Sequence, residues 1–153
     1  MNVMLTGGAG YIGSHVLRAL QVAGHTCVVY DNLSKGHRAA IGDATFVQGD
    51  VGDSESLRGA LREHAIDTVI HFAAFIEAGE SVTSPGKYFE NNTVNALGLL
   101  EAMRAEGVKN LVFSSTAAVY GQPDRMPIVE TDRLAPINPY GSSKLAFEWA
   151  LKD

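Results

Sequence analysis

The sequence predicts a doubly wound α/β fold, in which helices cover a parallel sheet of about five strands. Short apolar segments rich in β-branched residues alternate with helix-like stretches, and a glycine-rich turn follows the first segment. Apolar segments without polar alternation are typical of strands that are buried on both faces of a parallel sheet. The predicted strands are 3–6, 26–30, 45–48, 68–72 and 110–114, and the predicted helices are 12–23, 54–64 and 85–106.

The composition is that of one folded domain. With 46% hydrophobic and 19% charged residues, the chain can bury a core. A formal net charge of −5 without a basic run argues against binding to nucleic acid, and no apolar stretch is long enough to span a membrane. Cys27 is the only cysteine and lies in an apolar run, so we expect a buried strand residue and no metal site. The N-terminal residues resemble a strand rather than a leader, and a cytoplasmic location fits best.

The glycine-rich turn spans residues 7–13, between the first strand and the first helix. Gly7 allows a turn that a side chain would obstruct, and Gly10 lets a phosphate approach the main chain. Gly13 lets the helix pack closely on the strand. The free N–H groups at the helix start, at Tyr11 and Ile12, would then face an anion. A plain strand-to-helix turn is the alternative, because this spacing alone is weak evidence.

Carboxylates end the second and third predicted strands. In this fold the position of Asp31 reaches the ribose hydroxyls of an adenine dinucleotide. A carboxylate there favours NAD because it repels the 2′-phosphate of NADP, although the nearby Lys35 and Arg38 could tolerate that phosphate. Asp50 and the following Val51 could face the adenine, or Asp50 could cap the next helix.

Small side chains end the fourth strand, and two asparagines lie within the long helix that follows. Phe72, Ala73 and Ala74 would let a flat ligand lie close to the end of the sheet, or would simply pack in the core. Asn91 and Asn92 are unfavourable inside a helix. We therefore expect one of them to face inward and to bind main chain or cofactor, and the other to be solvated.

A tyrosine and a lysine four residues apart open the last helix, after a proline-rich segment, 121–139, that is predicted to be a long surface loop. Helix-start signals precede Tyr140, which places Tyr140 and Lys144 on one helix face. A tyrosine is a weak base near neutral pH, but a nearby ammonium and a positively charged nicotinamide ring stabilise the phenolate. A hydroxyl of Ser115 or Thr116 could orient the same substrate oxygen.

Motifs that occur in order along the whole chain resemble the extended short-chain dehydrogenase/reductase superfamily and, within it, the UDP-glucose 4-epimerases. The glycine turn and the Tyr-x-x-x-Lys spacing carry the likeness to the superfamily, and the intervening motifs carry the likeness to the epimerases. The motifs are residues 6–14 (TGGAGYIGS), 31–34 (DNLS), 79–82 (GESV), 91–92 (NN), 113–121 (FSSTAAVYG) and 140–144 (YGSSK).

The resemblance implies a Rossmann-like domain that binds NAD and serves the 4-epimerisation of a UDP-hexose, such as UDP-glucose or UDP-galactose. Tyr140 would take the proton of the sugar 4-hydroxyl while hydride passes from C4 to NAD, and hydride would return to the other face of the 4-keto sugar. Thr116 would help to hold the 4-oxygen, and Lys144 would bind the nicotinamide ribose. The implied cofactor contacts are Gly7, Gly10, Tyr11, Ile12, Gly13, Asp31, Asn32, Asp50, Val51, Phe72, Ala73, Ala74, Asn92, Ser114, Tyr140 and Lys144.

The resemblance also has limits. Many of these proteins carry a lysine shortly after the fourth strand, where this sequence has Phe-Ile-Glu at residues 75–77. They also continue well beyond the Tyr-x-x-x-Lys helix. We therefore expect residues 1–153 to be the NAD-binding domain of a longer protein, inactive without a C-terminal domain that binds the UDP-sugar.

Association is expected in two forms. The fifth strand would leave an open sheet edge, which invites pairing with another chain. The resemblance suggests a homodimer of the longer protein through a helical surface, although packing in the core of the chain is the favoured role for the same residues. These residues are Leu97, Leu100, Leu145 and Trp149.

Other functions remain open from the sequence. Dehydratases of the superfamily carry an acid–base pair directly after the Ser/Thr, whereas Thr116 is followed by Ala117 and Ala118, which cannot transfer protons. Another epimerase or a decarboxylase that acts on a sugar nucleotide is the alternative. For the chain by itself, a catalytically inert NAD-binding module is a further alternative.

Overall fold

Five strands and six α-helices make up the computed structural model, which describes residues 1–153. A π-helical turn, Glu90–Val94, and two 3-10 helices, Arg38–Ile41 and Ala117–Tyr120, complete the regular structure. The strands are β1 (Asn2–Thr6), β2 (Thr26–Asp31), β3 (Thr45–Gln48), β4 (Thr68–His71) and β5 (Asn110–Phe113). The α-helices are α1 (Tyr11–Val22), α2 (Ser54–Glu63), α3 (Ala78–Thr83), α4 (Pro85–Phe89), α5 (Asn95–Ala105) and α6 (Pro139–Lys152).

The strands form one parallel sheet in the order β3-β2-β1-β4-β5. The chain builds outward from β1 on one side and then crosses over to add β4 and β5 on the other. This order confirms the doubly wound, Rossmann-like prediction, in which ligands bind where the direction of winding reverses. All five predicted strands are present, and their ends differ from the predicted ones by one residue at most.

Apolar side chains are buried on both faces of the sheet because neighbouring residues of a strand point in opposite directions. Met4 belongs to the cluster that includes residues of α2 and α5, whereas Val3 and Leu5 belong to the cluster that includes Leu17 of α1. Cys27 is 6% exposed in the second cluster, as predicted. None of the helices is long and apolar enough to cross a membrane.

The chain divides into two compact units. One unit comprises Met1–Ala74 and Gly98–Ser114, and it contains the whole sheet together with α1 and α2. The other unit comprises Phe75–Leu97 and Ser115–Asp153, and it contains α3, α4, the π-helical turn and α6. The assignment of residues 1–153 to a single NAD-binding domain stays a prediction.

The long helix predicted over residues 85–106 is a continuous helical run whose middle is a π-helical turn. In that turn the N–H of Asn95 donates to the carbonyl oxygen of Glu90, a wider spacing than that of an α-helix. The short helix α3 precedes this run and was not predicted. The loop predicted over residues 121–139 is confirmed over 121–138, which contain no helix or strand, whereas Pro139 is the first residue of α6.

Candidate functional site

The glycine-rich turn between β1 and α1 is closed by contacts that leave no room for side chains. Gly7 has a φ of +71°, and a Cβ there would lie 2.5 Å from the backbone nitrogen of Ala73. A Cβ on Gly13 would lie 2.5 Å from the carbonyl oxygen of Gly7. Gly13 therefore lets α1 pack on the glycine turn itself rather than on the strand. The turn, the start of α1 and the residues after β4 are thereby held together.

The start of α1 is open by comparison. Gly10 is the N-cap residue, and no side chain caps the helix. A Cβ on Gly10 would meet only the carbonyl oxygen of Gly7, at 3.2 Å. Tyr11 and Ile12 are 84% and 57% exposed. The first N–H groups of a helix have no partner within the helix and lie at the positive end of its dipole, so this end is suited to an anion.

Asp31 lies at the end of β2, is 7% exposed and bonds directly to the glycine turn. Its Oδ2 accepts a hydrogen bond from the N–H of Ala9 at 3.0 Å, and its Oδ1 accepts one from the N–H of Leu33 at 2.8 Å. A carboxylate can accept about four hydrogen bonds, so both oxygens retain capacity for hydroxyl donors. The geometry fits a ribose contact, which stays a prediction.

Asn32 and Asp50 are joined next to Asp31. The Nδ2 of Asn32 donates to the Oδ2 of Asp50 at 2.7 Å, and the N–H of Gly52 donates to Oδ1 of the same carboxylate at 2.8 Å. The expectation that Asp50 could cap α2 is wrong, because the cap is Asp53, whose side chain accepts the N–H of Ser56. The possible contact of Asp50 and Val51 with adenine is not affected by this correction.

The residues after β4 are anchored to β1. The N–H groups of Phe72 and Ala73 both donate to the carbonyl oxygen of Thr6, at 2.9 and 3.1 Å. Phe72 packs against the core cluster beside α1, which is the packing alternative considered for it. Ala73 and Ala74 are half-buried, as is Ser114 at the end of β5, whose N–H donates to the carbonyl oxygen of His71.

In the other unit, the buried side chain of Asn92 is hydrogen-bonded both to Phe75 and to α6. It is 1% exposed, and its side chain binds both the N–H and the carbonyl oxygen of Phe75, each at 2.9 Å. Its Nδ2 also donates to the Oγ of Ser143 at 3.2 Å. Asn92 is thus the asparagine that faces inward and binds main chain, and Asn91 is half-buried beside it. A contact of Asn92 with a cofactor stays a prediction.

Helix α6 places Tyr140 and Lys144 one turn apart. The side chain of Asn138 caps the helix by accepting the N–H of Gly141 at 2.8 Å, which confirms the predicted start. Ser143 donates its hydroxyl to the carbonyl oxygen of Tyr140 at 2.8 Å. Tyr140 is half-buried, and the structure shows no hydrogen bond to its phenol. The side chain of Tyr140 is therefore carried by a helical turn in which Asn138 and Ser143 are both hydrogen-bonded.

Lys144 is buried, with 3% of its surface exposed. Burial lowers the pKa of Lys144 to about 8, and the negative charge of Glu148 offsets part of this effect. The ammonium form is therefore less favoured than in water. A lysine of this kind is charged at neutral pH and loses its charge over the mildly alkaline range.

The two hydroxyls after β5 have different partners. The Oγ of Ser115 donates to the carboxylate of Glu148. The Oγ1 of Thr116 caps the following 3-10 helix by accepting the N–H of Ala118 at 3.2 Å. Because that bond uses a lone pair of Thr116, its hydroxyl hydrogen remains for an external acceptor. Of the two candidates, Thr116 is therefore the one that suits a substrate oxygen.

Sequence reasoning did not identify Thr93, Ser143 or Glu148. Thr93 donates its hydroxyl to the carbonyl oxygen of Ser143, which joins the π-helical turn to α6. Glu148 follows Lys144 by one helical turn, a spacing that the sequence does show. The bond of Thr93 to Ser143 and that of Asn92 to Ser143 join distant parts of the chain, and no local pattern indicates them.

The four residues of the proposed dimer surface differ in how exposed they are. Leu145 is 2% exposed and belongs to the core, as the packing alternative predicts. Leu97 and Trp149 are 40% and 57% exposed, and Leu100 is half-buried. Packing in the core therefore does not account for all four residues.

Comparison with known proteins places these features in one family. The sequence model of the NAD dependent epimerase/dehydratase family matches residues 3–153. A UDP-glucose 4-epimerase of Halalkalibacterium halodurans is 51% identical over 148 residues, which cover 97% of this chain and 44% of that protein. The chain thus spans about half the length of the curated relatives it matches.

Solved structures show the same similarity. The UDP-glucose 4-epimerase of Brucella ovis in complex with NAD has a TM-score of 0.97 at 47% identity, over 99% of this chain and 47% of that one. The enzyme of that name from Stenotrophomonas maltophila, with bound NAD and formylated UDP-arabinopyranose, has a TM-score of 0.97 at 44% identity. The alignment covers 100% of this chain and 48% of that one.

Proposed function

Since the chain belongs to the NAD dependent epimerase/dehydratase family, we propose that it is the NAD-binding part of an enzyme that interconverts UDP-glucose and UDP-galactose. The observation that carries this proposal is the pair on α6. A half-buried tyrosine and a buried lysine lie one turn apart, in the same unit as a threonine hydroxyl that is suited to donate a hydrogen bond. These are the groups that an alcohol oxidation needs for proton transfer.

The residues present fit NAD. The uncapped, open start of α1 at Gly10 suits the pyrophosphate, and Gly7 and Gly13 close the turn behind it. Asp31 would accept the hydroxyls of the adenosine ribose, with Asn32 beside it, and would repel a 2′-phosphate. When bound, NAD would supply a reversible hydride acceptor. The other proposed contacts are Tyr11, Ile12, Asp50, Val51, Phe72, Ala73, Ala74, Asn92, Ser114, Tyr140 and Lys144.

The residues of this chain would move and hold protons in the reaction. Tyr140 would remove the proton from the sugar 4-hydroxyl through its phenol oxygen and return it when the ketone is reduced. The ammonium of Lys144, one turn away, would stabilise the phenolate. Thr116 would donate its hydroxyl hydrogen to the sugar 4-oxygen and so fix the orientation of the reacting carbon.

The rest of the site would come from elsewhere in the full-length protein. Several solved relatives contain UDP or UDP-sugars, and the expected UDP-sugar domain would lie in the half of the relatives that this chain does not span. Exposed Leu97 and Trp149 support a homodimer of the full-length protein. A buried, unbridged Cys27 is compatible with a reducing, cytoplasmic setting.

A second candidate function is 4-epimerisation of another UDP-sugar. The relative with formylated UDP-arabinopyranose favours this candidate over dehydration. Dehydration is disfavoured because Ala117 and Ala118 occupy the positions where an acid–base pair would be needed. A decarboxylase, and for the isolated chain an inert NAD-binding module, are the remaining alternatives.

The test is turnover by the full-length protein with UDP-glucose and UDP-galactose. Tyr140→Phe should lower turnover by about 10²-fold or more, because it removes the proton acceptor, and should leave bound NAD unchanged. Tyr120→Phe is the control, since it removes a phenol hydroxyl from the neighbouring 3-10 helix and should keep turnover. Absence of 4-epimerisation of any UDP-hexose by the wild type would exclude the activity. Wild-type turnover by Tyr140→Phe would exclude Tyr140 as the base.

A further inference from the structure

Glu148 is a half-buried carboxylate on α6 that the proposed mechanism leaves without a role. Its side chain accepts a hydrogen bond from the hydroxyl of Ser115. Ser115 directly precedes Thr116, the residue assigned to the sugar 4-oxygen. Both residues belong to the unit formed by Phe75–Leu97 and Ser115–Asp153. The bond therefore joins the helix that carries Tyr140 and Lys144 to the segment that carries Thr116.

A second contact joins the same two elements near the start of α6. A Cβ on Gly141 would lie 2.6 Å from the carbonyl oxygen of Ala118, so the helix and the 3-10 segment touch there without space for a side chain. Glu148 follows Gly141 by about two helical turns and lies on the same face. The segment that carries Thr116 is thus attached to α6 at two points, with Lys144 between them.

Two other titratable side chains line the same cavity as Glu148. Glu148 lines a cavity of about 490 Å³ together with Tyr120 and Glu130. On its own helix, Lys144 precedes it by one turn, and the negative charge of Glu148 raises the pKa of that lysine against the effect of burial. Glu130 is exposed, and its carboxylate accepts no hydrogen bond from Ser115 or from α6. Glu148 is therefore the carboxylate that holds the segment.

We propose that Glu148 is a positioning residue for the reaction, which, by accepting the hydroxyl of Ser115, fixes Thr116 relative to the helix that presents Tyr140 and Lys144. This inference rests on the proposed function. The Ser115 bond and the Gly141 contact prevent the segment from sliding or rotating on the helix. A misplacement of about 1 Å lowers catalysis by about 10²-fold in enzymes that depend on orientation.

The experiment compares four variants of the full-length protein. Ser115→Ala removes the donor, Glu148→Ala removes the acceptor, and Glu148→Gln keeps an acceptor oxygen without the charge. Glu130→Gln neutralises a carboxylate of the same cavity and is the matched control. We measure kcat and KM for a UDP-hexose as a function of pH. We also measure amide hydrogen exchange of the peptide over residues 115–121, which needs no turnover.

The two alanine variants should lower kcat by about tenfold or more, with KM and NAD content unchanged. They should also speed exchange several-fold at Val119 and Gly121, whose N–H groups donate to the carbonyl oxygens of Thr116 and Ala118. Compared with Glu148→Ala, Glu148→Gln should recover most of the wild-type kcat and should show slower exchange. The alkaline limb of its pH profile should lie at lower pH than that of the wild type, because Lys144 loses a neighbouring negative charge. Glu130→Gln should match the wild type in every measurement.

The outcomes separate this inference from the proposed function. A wild type without turnover on any UDP-hexose removes the proposed function and, with it, the positioning role of Glu148 in the reaction. If the wild type turns over and both alanine variants match it in kcat and exchange, only the positioning role is overturned. A fall in kcat without faster exchange also overturns it, since Glu148 would then act other than through position. An equal fall in Glu130→Gln overturns it as well.

Discussion

Gly10 and Gly13 lie in the same turn, but the space around them differs. A Cβ on Gly13 would overlap backbone atoms of Gly7 and Gly8, at 2.5 and 2.7 Å, whereas one on Gly10 meets a single oxygen at 3.2 Å. Gly13→Ala should therefore lower the free energy of unfolding by about 1–3 kcal/mol, because backbone atoms must shift. Gly10→Ala should lower it by less than about 1 kcal/mol.

For NAD binding the order of the two variants should be reversed, and Gly10→Ala should have the larger effect. A methyl group on Gly10 points toward the open helix start, where the pyrophosphate is proposed to lie, so Gly10→Ala should weaken NAD binding although the fold is kept. Urea unfolding and NAD titration of both variants check this pair of expectations. Unfolding at the same urea concentration for Gly13→Ala and the wild type would contradict the packing argument.

Lys144 makes stability depend on pH in the alkaline range. Its pKa in the folded chain is about 8, below the value of 10.5 for an unperturbed lysine. Between these two pH values the unfolded chain binds more protons, so the free energy of unfolding rises with pH, by up to about 3 kcal/mol from this residue. Below pH 8 the buried ammonium opposes folding in full.

Lys144→Met should therefore be more stable than the wild type at pH 7, and the difference should shrink as the pH rises toward 10. Urea unfolding between pH 7 and pH 10 measures the difference. Lys152→Met is the control, because Lys152 is exposed on the same helix and its difference from the wild type should stay constant. Parallel pH curves for Lys144→Met and the wild type would rule out a lowered pKa for Lys144.

At the scale of residues, the sequence predicts those arrangements of side chains that depend on a short, fixed spacing along the chain. Tyr140 and Lys144 share a helix face because four residues make about one turn, and Asn138 identifies where that helix starts. The bond of Ser115 to Glu148 joins residues 33 apart. The spacing alone left the choice between Ser115 and Thr116 open, and the resemblance to the epimerases favoured Thr116. The bond of Ser115 to Glu148 agrees with that choice, which stays a prediction.

The elements differ in how far the sequence predicts them. The strands were found because both faces of the sheet are buried, which produces uninterrupted apolar runs. Helix α3 has no such signal, because contacts outside the helix hold it. The hydroxyl of the buried Tyr88 lies 2.8 Å from the carbonyl oxygen of Glu77 and 2.8 Å from the carboxylate of Glu80, which share its one hydrogen.

The side chain of Asn92 joins the π-helical turn to Phe75 and to α6, and this role in stability can be tested. Replacing it by alanine leaves the half-buried peptide groups of Phe75 and the buried hydroxyl of Ser143 without these partners. Asn92→Ala should lower the free energy of unfolding by about 2–3 kcal/mol. Asn91→Ala, next to it but half-buried and bonded only to Asn92, should lower it by less than about 1 kcal/mol. Equal unfolding midpoints for the two variants would contradict this role.

For the whole molecule, the exposed edge of the sheet predicts association of the 153-residue chain. Strand β5 pairs only with β4, and its Val112 is 55% exposed. An apolar, unpaired edge is a template for a second chain, and a lysine on the edge prevents such pairing. Light scattering after size exclusion should show oligomers that Val112→Lys reduces. Val82→Lys, on α3 and 64% exposed, should not reduce them. A clean monomer of the wild type at high concentration would exclude the idea.

The sheet order also bears on how the polypeptide folds during synthesis. The first strand of this chain, β1, is the middle strand of the finished sheet, and its two neighbours are formed by residues 26–31 and 68–71. The edge of β1 that pairs with β4 therefore stays unpaired until nearly half of the 153 residues have been synthesised. During this interval that edge of β1 is accessible to chaperones and to other nascent chains. Synonymous codons within residues 7–71 set the length of this interval, so they would change the yield of folded protein without changing its stability.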